Sequence, residues 1–138
     1  MRLNTENVQF SSLAGVPEKA RLAGKYCVMW DNQGNVETFM KYSAQNSIFA
    51  LDRELIAVAL GRKTNEEVAD SLRKHVVLNA KFGTNLTISC GNLKPNFLYD
   101  LKTDLYNALE INSFDKFRQY DNYMKIVKDE ENTSLTGD

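Results

Sequence analysis

Apolar residues that alternate on either side of two glycine-containing turns, set between stretches with helical spacing, predict an α+β fold. The expected elements are two antiparallel β-hairpins at about residues 25–42 and 75–91, a central helical hairpin at about 48–74, and two C-terminal helices at about 96–111 and 114–128. The 138 residues, 43% hydrophobic and 25% charged, are enough for one α+β domain over 1–128 to hold its own core. Residues 129–138 lack periodicity and read as a polar, solvated C-terminal tail.

Each element has a local reason. Val8, Gln9 and Phe10 can form a short strand, and Ser11 and Ser12 a loop. Pro17 suits the first turn of a short helix that Gly24 ends. In the first hairpin, Asp31 fits the start of a type I turn and Gly34 supplies the left-handed residue of a three-residue loop. That register sets Trp30 opposite Val36 and Val28 opposite Thr38, with Tyr26 and Met40 farther along the same face. The opposite face carries Cys27, Met29, Glu37 and Phe39, so the ribbon is expected to lie within the fold.

Asn46 or Ser47, with Asp52 as an alternative start, opens a helix that Gly61 closes. A second helix begins at Thr64, because Thr64 followed three residues later by Glu67 has the form of a capping box. Around 74–81 two patterns compete. Val68, Leu72, Val76 and Asn79 prolong a helix, whereas Val76, Leu78, Ala80 and Phe82 alternate as a strand. The strand is preferred, because a Gly83-Thr84-Asn85 loop then pairs Phe82 with Leu86, Ala80 with Ile88 and Leu78 with Cys90. Pro95 opens a helix whose stripe is Leu98, Leu101, Leu105, Ala108 and Leu109, and Ser113 caps a last helix with Phe117, Tyr120, Met124 and Val127 on one face.

The charge balance, 17 basic against 18 acidic residues, excludes a polybasic histone-like protein and a strongly acidic DNA mimic. By segment it is uneven. Residues 1–60 are balanced, 61–95 carry six basic and three acidic groups, and 96–138 carry five and nine. Half of the fourteen aromatic residues fall within 97–123. Tyrosines beside acidic groups suit protein interfaces, where a ring contributes area at low entropic cost. Tyr99, Tyr106, Phe117, Tyr120 and Tyr123 are therefore the candidate protein-binding residues, and a second layer of core is the competing explanation.

The principal expectation is a small non-enzymatic binding protein acting through protein–protein contacts, as a regulator, an inhibitor, an assembly component or a self-associating oligomer. One alternative is a DNA-binding regulator. Residues 55–74 are similar to a helix-turn-helix, followed by the second hairpin as a wing, with Arg62, Lys63, Asn65, Arg73, Lys74 and Lys81 as candidate nucleic-acid contacts. Glu66, Glu67 and Asp70 oppose it, since carboxylates at the start of a recognition helix repel phosphates. The other alternative is an enzyme such as a nuclease whose site assembles only in space. His75 is the sole histidine, no glycine-rich phosphate loop is present, and Asp52/Glu54 and Glu67/Asp70 lack a third ligand, so no catalytic residue, cofactor, metal or small-molecule substrate is assigned. Cys27 and Cys90 are expected as buried reduced thiols. The opening residues lack the apolar core of a signal peptide and no apolar run is long enough to span a bilayer, so the expected setting is cytoplasmic, without membrane contact.

Overall fold

The computed structural model describes residues 6–94 and 114–132. It opens with a 3-10 helix, Phe10–Gly15, and continues through α1 (Val16–Leu22), α2 (Asn35–Tyr42), β1 (Asn46–Ala50), α3 (Leu51–Ala59), α4 (Asn65–Phe82) and β2 (Asn85–Ser89). After 113 come two short helices, α5 (Phe114–Phe117) and α6 (Tyr120–Tyr123), and 3-10 turns at Met124–Ile126 and Asp129–Glu131. The described residues are thus mostly helical, with one two-stranded parallel sheet and no antiparallel hairpin.

This corrects the expected fold at both hairpins. In the first, residues 26–30 run without turn or bend and pair with no described strand, while 35–42 form α2. The reason lies in Asp31, whose carboxylate accepts from Gln33 N (2.9 Å) and Val36 N (2.7 Å). It satisfies donors at the start of α2, so the turn leads into a helix rather than reversing a strand. Gly34 is left-handed as expected (φ 75°), but at the N-cap of α2. Val36 and Met40 fit both periods, being two strand repeats or one helical turn apart.

In the second, the helical stripe wins over the alternation. Thr64 and Glu67 form the capping box in full, Glu67 N donating to Thr64 Oγ1 (3.2 Å) and Thr64 N to Glu67 Oε2 (2.7 Å). From it α4 runs unbroken to Phe82 and buries Val68, Leu72, Val76 and Val77, leaving Leu78 and Phe82 exposed. Buried Asn79 marks its end. The Nδ2 of Asn79 donates to His75 O (2.7 Å), and its Oδ1 accepts from Ser47 Oγ (2.9 Å) and Thr84 Oγ1 (2.7 Å). One amide thereby ties the last turn of α4, the strand β1 and the turn into β2, where Gly83 is left-handed (φ 66°).

The helical hairpin begins later than expected. Ile48, Phe49 and Ala50 are strand, and the helix starts at Leu51, beside the alternative start at Asp52. β1 and β2 lie parallel, Asn46 opposite Asn85 through Ala50 opposite Ser89, so α3 and α4 together form the crossover that parallel strands require. Phe49 faces α4, its ring 5.1 Å from that of His75 at 68°. With Leu51, Val68, Leu72, Val76, Val77 and Ile126 it forms the buried core. The helix expected at 114–128 is divided at Arg118 and Gln119, and the one expected at 96–111 lies outside the described residues.

Ile126 reaches the core because Arg73 holds the chain around it. Arg73 occupies the buried stripe of α4 one turn from Ala69 and one from Val77, and its side chain is only 10% exposed. Nε donates to Asp70 Oδ1 (2.9 Å), Nη1 to Ile126 O (2.9 Å) and Glu131 Oε2 (2.7 Å), and Nη2 to Glu131 Oε1 (2.9 Å). Asp70 also meets Lys74 Nζ at 3.2 Å and Lys128 Nζ at 3.4 Å. The stretch expected as tail from 129 thus contributes Glu131 to a forked carboxylate–guanidinium pair.

Hydrogen bonding to Arg73 lowers the carboxyls of both Asp70 and Glu131 to about 2. Such depressed groups stabilise the fold above their unfolded values near 4, and that stabilisation is lost as pH falls towards 2. Replacing Arg73 by Ala should cost about 1.5–3 kcal/mol, the range for hydrogen bonds to charged groups. Urea unfolding of R73A should also show a weaker loss of stability between pH 5 and 3 than the parent. An unchanged pH dependence would contradict the role assigned to this clasp.

Candidate protein-contact surface

The two most exposed large apolar side chains among the described residues lie where the sequence predicts an embedded ribbon. Val28 is 91% and Trp30 83% exposed. No backbone hydrogen bond joins residues 26–30 to the backbone of another described residue. Alternation puts Tyr26, Val28 and Trp30 on one side and Cys27 and Met29 on the other. A segment so rich in β-branched, aromatic and sulfur-containing residues has strand propensity without a strand partner among the described strands.

The display is nevertheless fixed at both ends. On one side, Gly24 is left-handed (φ 68°), and Lys25 N bonds back to Ala20 O (2.9 Å), which ends α1 and sets the exit of the chain. On the other, the two backbone bonds to Asp31 fix the loop, and Trp30 Nε1 donates to Asn32 Oδ1 (2.9 Å), which orients the indole. The bonds from Val36 N and then Gln33 N are also the main reasons the Asp31 carboxyl lies below its ordinary value. An exposed indole held in place loses less freedom when a partner covers it.

Arg118, between α5 and α6, lies near enough to Tyr26 to act on it electrostatically. Burial raises the Tyr26 phenol above its ordinary value, and the nearby Arg118 guanidinium offsets part of that rise. Arg118 joins α5 to α6, where Tyr120 and Tyr123 meet edge to face at 5.5 Å. Of the predicted protein-binding residues, Tyr120 is 63% exposed, Tyr123 is half-buried and Phe117 packs against the core. Tyr99 and Tyr106 lie outside the described residues. Alternation alone places Val28 and Trp30 in a paired ribbon, and the sequence signal that marks them as surface is the polar run 31–35, which closes a loop instead of a hairpin.

The candidate nucleic-acid contacts do not form one free basic face. Arg73 is buried in its clasp, and Lys74 is paired with Asp70. Lys63 Nζ lies 2.6 Å from Glu54 Oε2, and Lys81 Nζ donates to Glu131 O (3.4 Å). Arg62 is exposed in the turn, and Asn65 is half-buried at the start of α4. Residues 76–82, expected as the first strand of the wing, are helix.

A polar group gathers where both parallel strands end, the usual ligand edge of a parallel sheet. Glu37 accepts from Ser89 Oγ (2.8 Å) and from Arg53 Nη2 (3.1 Å), joining α2 to β2 and α3. Asp52 Oδ1 is buried with no hydrogen-bond partner, and its Oδ2 would sit 2.5 Å from a Cβ at Gly91, where φ is +55°. Glycine is therefore favoured at 91. Burial and then the Asp52 charge raise the Cys90 thiol, and partial desolvation by neighbouring atoms raises that of Cys27 although its residue is exposed, so neither is a thiolate at neutral pH. Cys27 is exposed, against expectation, and both cysteines are free. Among the described residues no three or more His, Cys, Asp or Glu gather to hold a metal, and no helix is long and apolar enough to cross a membrane.

Comparison with protein-family models, curated proteins and solved structures finds no match to this chain.

If Asp31 fixes the loop, the amide shifts of Gln33 and Val36 should titrate together with a midpoint below the ordinary aspartate value of 3.8. The loop is then held throughout neutral pH and released only as pH falls through the depressed value. A midpoint at or above 3.8, or no titration at these amides, would show that the carboxylate does not carry the loop.

Proposed function

We propose that this chain is a small binding protein that works through protein–protein contacts, and that residues 26–30 are its principal contact segment. The observation that carries the reading is Trp30: a large amphipathic ring, almost fully exposed yet oriented by Asn32 and by the Asp31 loop. Tryptophan dominates the few residues that supply most of an interface's energy, and exposed apolar segments on a folded scaffold mark partner sites. Pre-organisation lowers the ordering cost of binding. Tyr120 offers a second exposed ring, on the helix that follows Arg118, which agrees with a role for the C-terminal aromatics.

Several of the polar groups described above are committed to one another, although Asp52 Oδ1 has no hydrogen-bond partner. The cations of α4 that a nucleic acid would need are in ion pairs or buried, and the strand-end carboxylate of Glu37 is paired with Ser89 and Arg53. Contact through apolar surface is therefore better supported than charge-driven binding.

Affinity capture from the source cell with the full chain and a Trp30→Ala variant should retain at least one protein with the parent that the variant loses by tenfold or more. Trp30 is surface, so the variant should unfold at the same urea concentration as the parent. Identical protein sets for both chains would remove Trp30 from the contact.

A further inference from the structure

Residues 124–131 lie along one side of α4, and every hydrogen bond between the two involves a side chain. Arg73 Nη1 donates to Ile126 O (2.9 Å) and Glu131 Oε2 (2.7 Å), Arg73 Nη2 to Glu131 Oε1 (2.9 Å), and Lys81 Nζ to Glu131 O (3.4 Å). Lys128 Nζ meets Asp70 Oδ1 at 3.4 Å. Among the described residues, no backbone–backbone hydrogen bond joins 114–132 to 6–94. Arg73, Val77 and Lys81 are successive members of one helical row, and Glu131 reaches the first and the last, so Val77 lies beneath the segment and is only 6% exposed. We propose that residues 124–131 form a strap that lifts off α4 as one unit while the rest of the fold stays closed, with the forked Arg73–Glu131 pair as its latch. The proposal is independent of the reading of 26–30.

The two sides of this contact are built differently. α4 has its own helical hydrogen bonds, the capping box of Thr64 and Glu67 at one end and the Asn79 bonds to Ser47 and Thr84 at the other, and none of these involves the strap. The strap consists of two three-residue 3-10 turns, Met124–Ile126 and Asp129–Glu131, with local backbone bonds only. Such turns have poorer hydrogen-bond geometry than an α-helix, and a segment with few buried contacts opens at a lower free energy than the core. Ile126 is the strap's one buried residue, whereas Lys125, Lys128, Asp129 and Glu130 are exposed. The latch is what keeps it down. The side chains of Arg73 and Glu131 are 10% and 21% exposed, and a forked, charge-assisted pair so shielded from water is stronger than a surface ion pair. When the strap lifts, Glu131 returns to water and α4, still helical, presents Val77 between Arg73 and Lys81, with Asp70 beside Arg73. The strap thereby governs access to a stretch of α4 that is apolar and basic together.

Thiol labelling of the full chain in the Cys27→Ser background tests this, each thiol being followed separately by mass spectrometry. Val77→Cys places a thiol beneath the strap, and Val68→Cys places one near the start of α4, where Val68 is 0% exposed. The thiol at 77 should label faster than the one at 68 and with a weaker dependence on urea, because lifting the strap exposes less surface than unfolding does. Glu131→Gln, added to Val77→Cys, removes the charge of the latch at constant size and should speed labelling at 77 by about tenfold. Equal rates with equal urea dependence at 77 and 68 would mean that residues 124–131 leave only on global unfolding, and a rate at 77 that E131Q leaves unchanged would mean that Glu131 is no latch; either result overturns the proposal. If a core thiol prevents folding, trypsin digestion of the chain without thiol substitutions takes the place of this comparison. Cleavage after Lys125 and Lys128 should then be faster in E131Q than in the parent, and equal rates overturn the strap.

Discussion

A guanidinium cannot shed its charge at any physiological pH, so the placement of Arg73 on the buried stripe of α4 obliges the rest of the chain to supply acceptors for it. Asp70, one turn earlier, supplies the first. The others come from more than fifty residues away, the carbonyl of Ile126 and both oxygens of Glu131. The clasp therefore decides where the C-terminal chain lies, and with it which side chains complete the core. Ile126 is buried, and Phe117 and Val127 pack against the same cluster as Leu72 and Val76. Removing any of these acceptors would strand a buried guanidinium donor, which costs more than the bond itself contributes.

From that constraint the arrangement extends outward in both directions along α4. At its N-terminus the capping box fixes the start, and at its C-terminus Asn79 bonds the helix to β1 and to the turn before β2. Parallel strands cannot be joined by a tight turn, so the α3–α4 crossover and the sheet are one cooperative unit. Glu37 then brings α2 against the strand ends, and Asp31 fixes the loop from which the segment 26–30 leads back to α1. Near that segment's start, Tyr26 is approached by Arg118, which follows directly on α5. A core side chain and an exposed tryptophan are linked in this way through successive polar contacts.

How much of this the sequence discloses depends on the range of the interaction. The capping box at Thr64 and Glu67, Pro17 in the first turn of α1, and glycines at 24 and 61 beyond helix ends are local patterns with local causes, and the structure contains them. Val36 and Met40 satisfy the periods of both strand and helix, and only the long-range fate of Asp31 separates the two. Val76, Leu78, Ala80 and Phe82 alternate well, but the stripe 68, 72, 76 finds a core while Leu78 and Phe82 find none. Arg73 and Lys74 read as a basic patch because Glu131 lies in a stretch that looks like tail. Trp30 reads as part of a paired ribbon because alternation reports a preference for strand and carries no information on whether the chain contains a partner for it.

The central claim is that residues 26–30 form a strand-prone, largely exposed segment that pairs with no described strand. Amide hydrogen exchange on the dilute protein measures this directly, residue by residue. The account predicts that the amides of 27–30 exchange at nearly the rate of an unstructured chain while those of Leu72, Val76 and Val77 exchange only on global unfolding. Protection of 27–30 approaching that of α4 in the dilute protein would mean that the segment is already paired within its own chain, and would contradict the account.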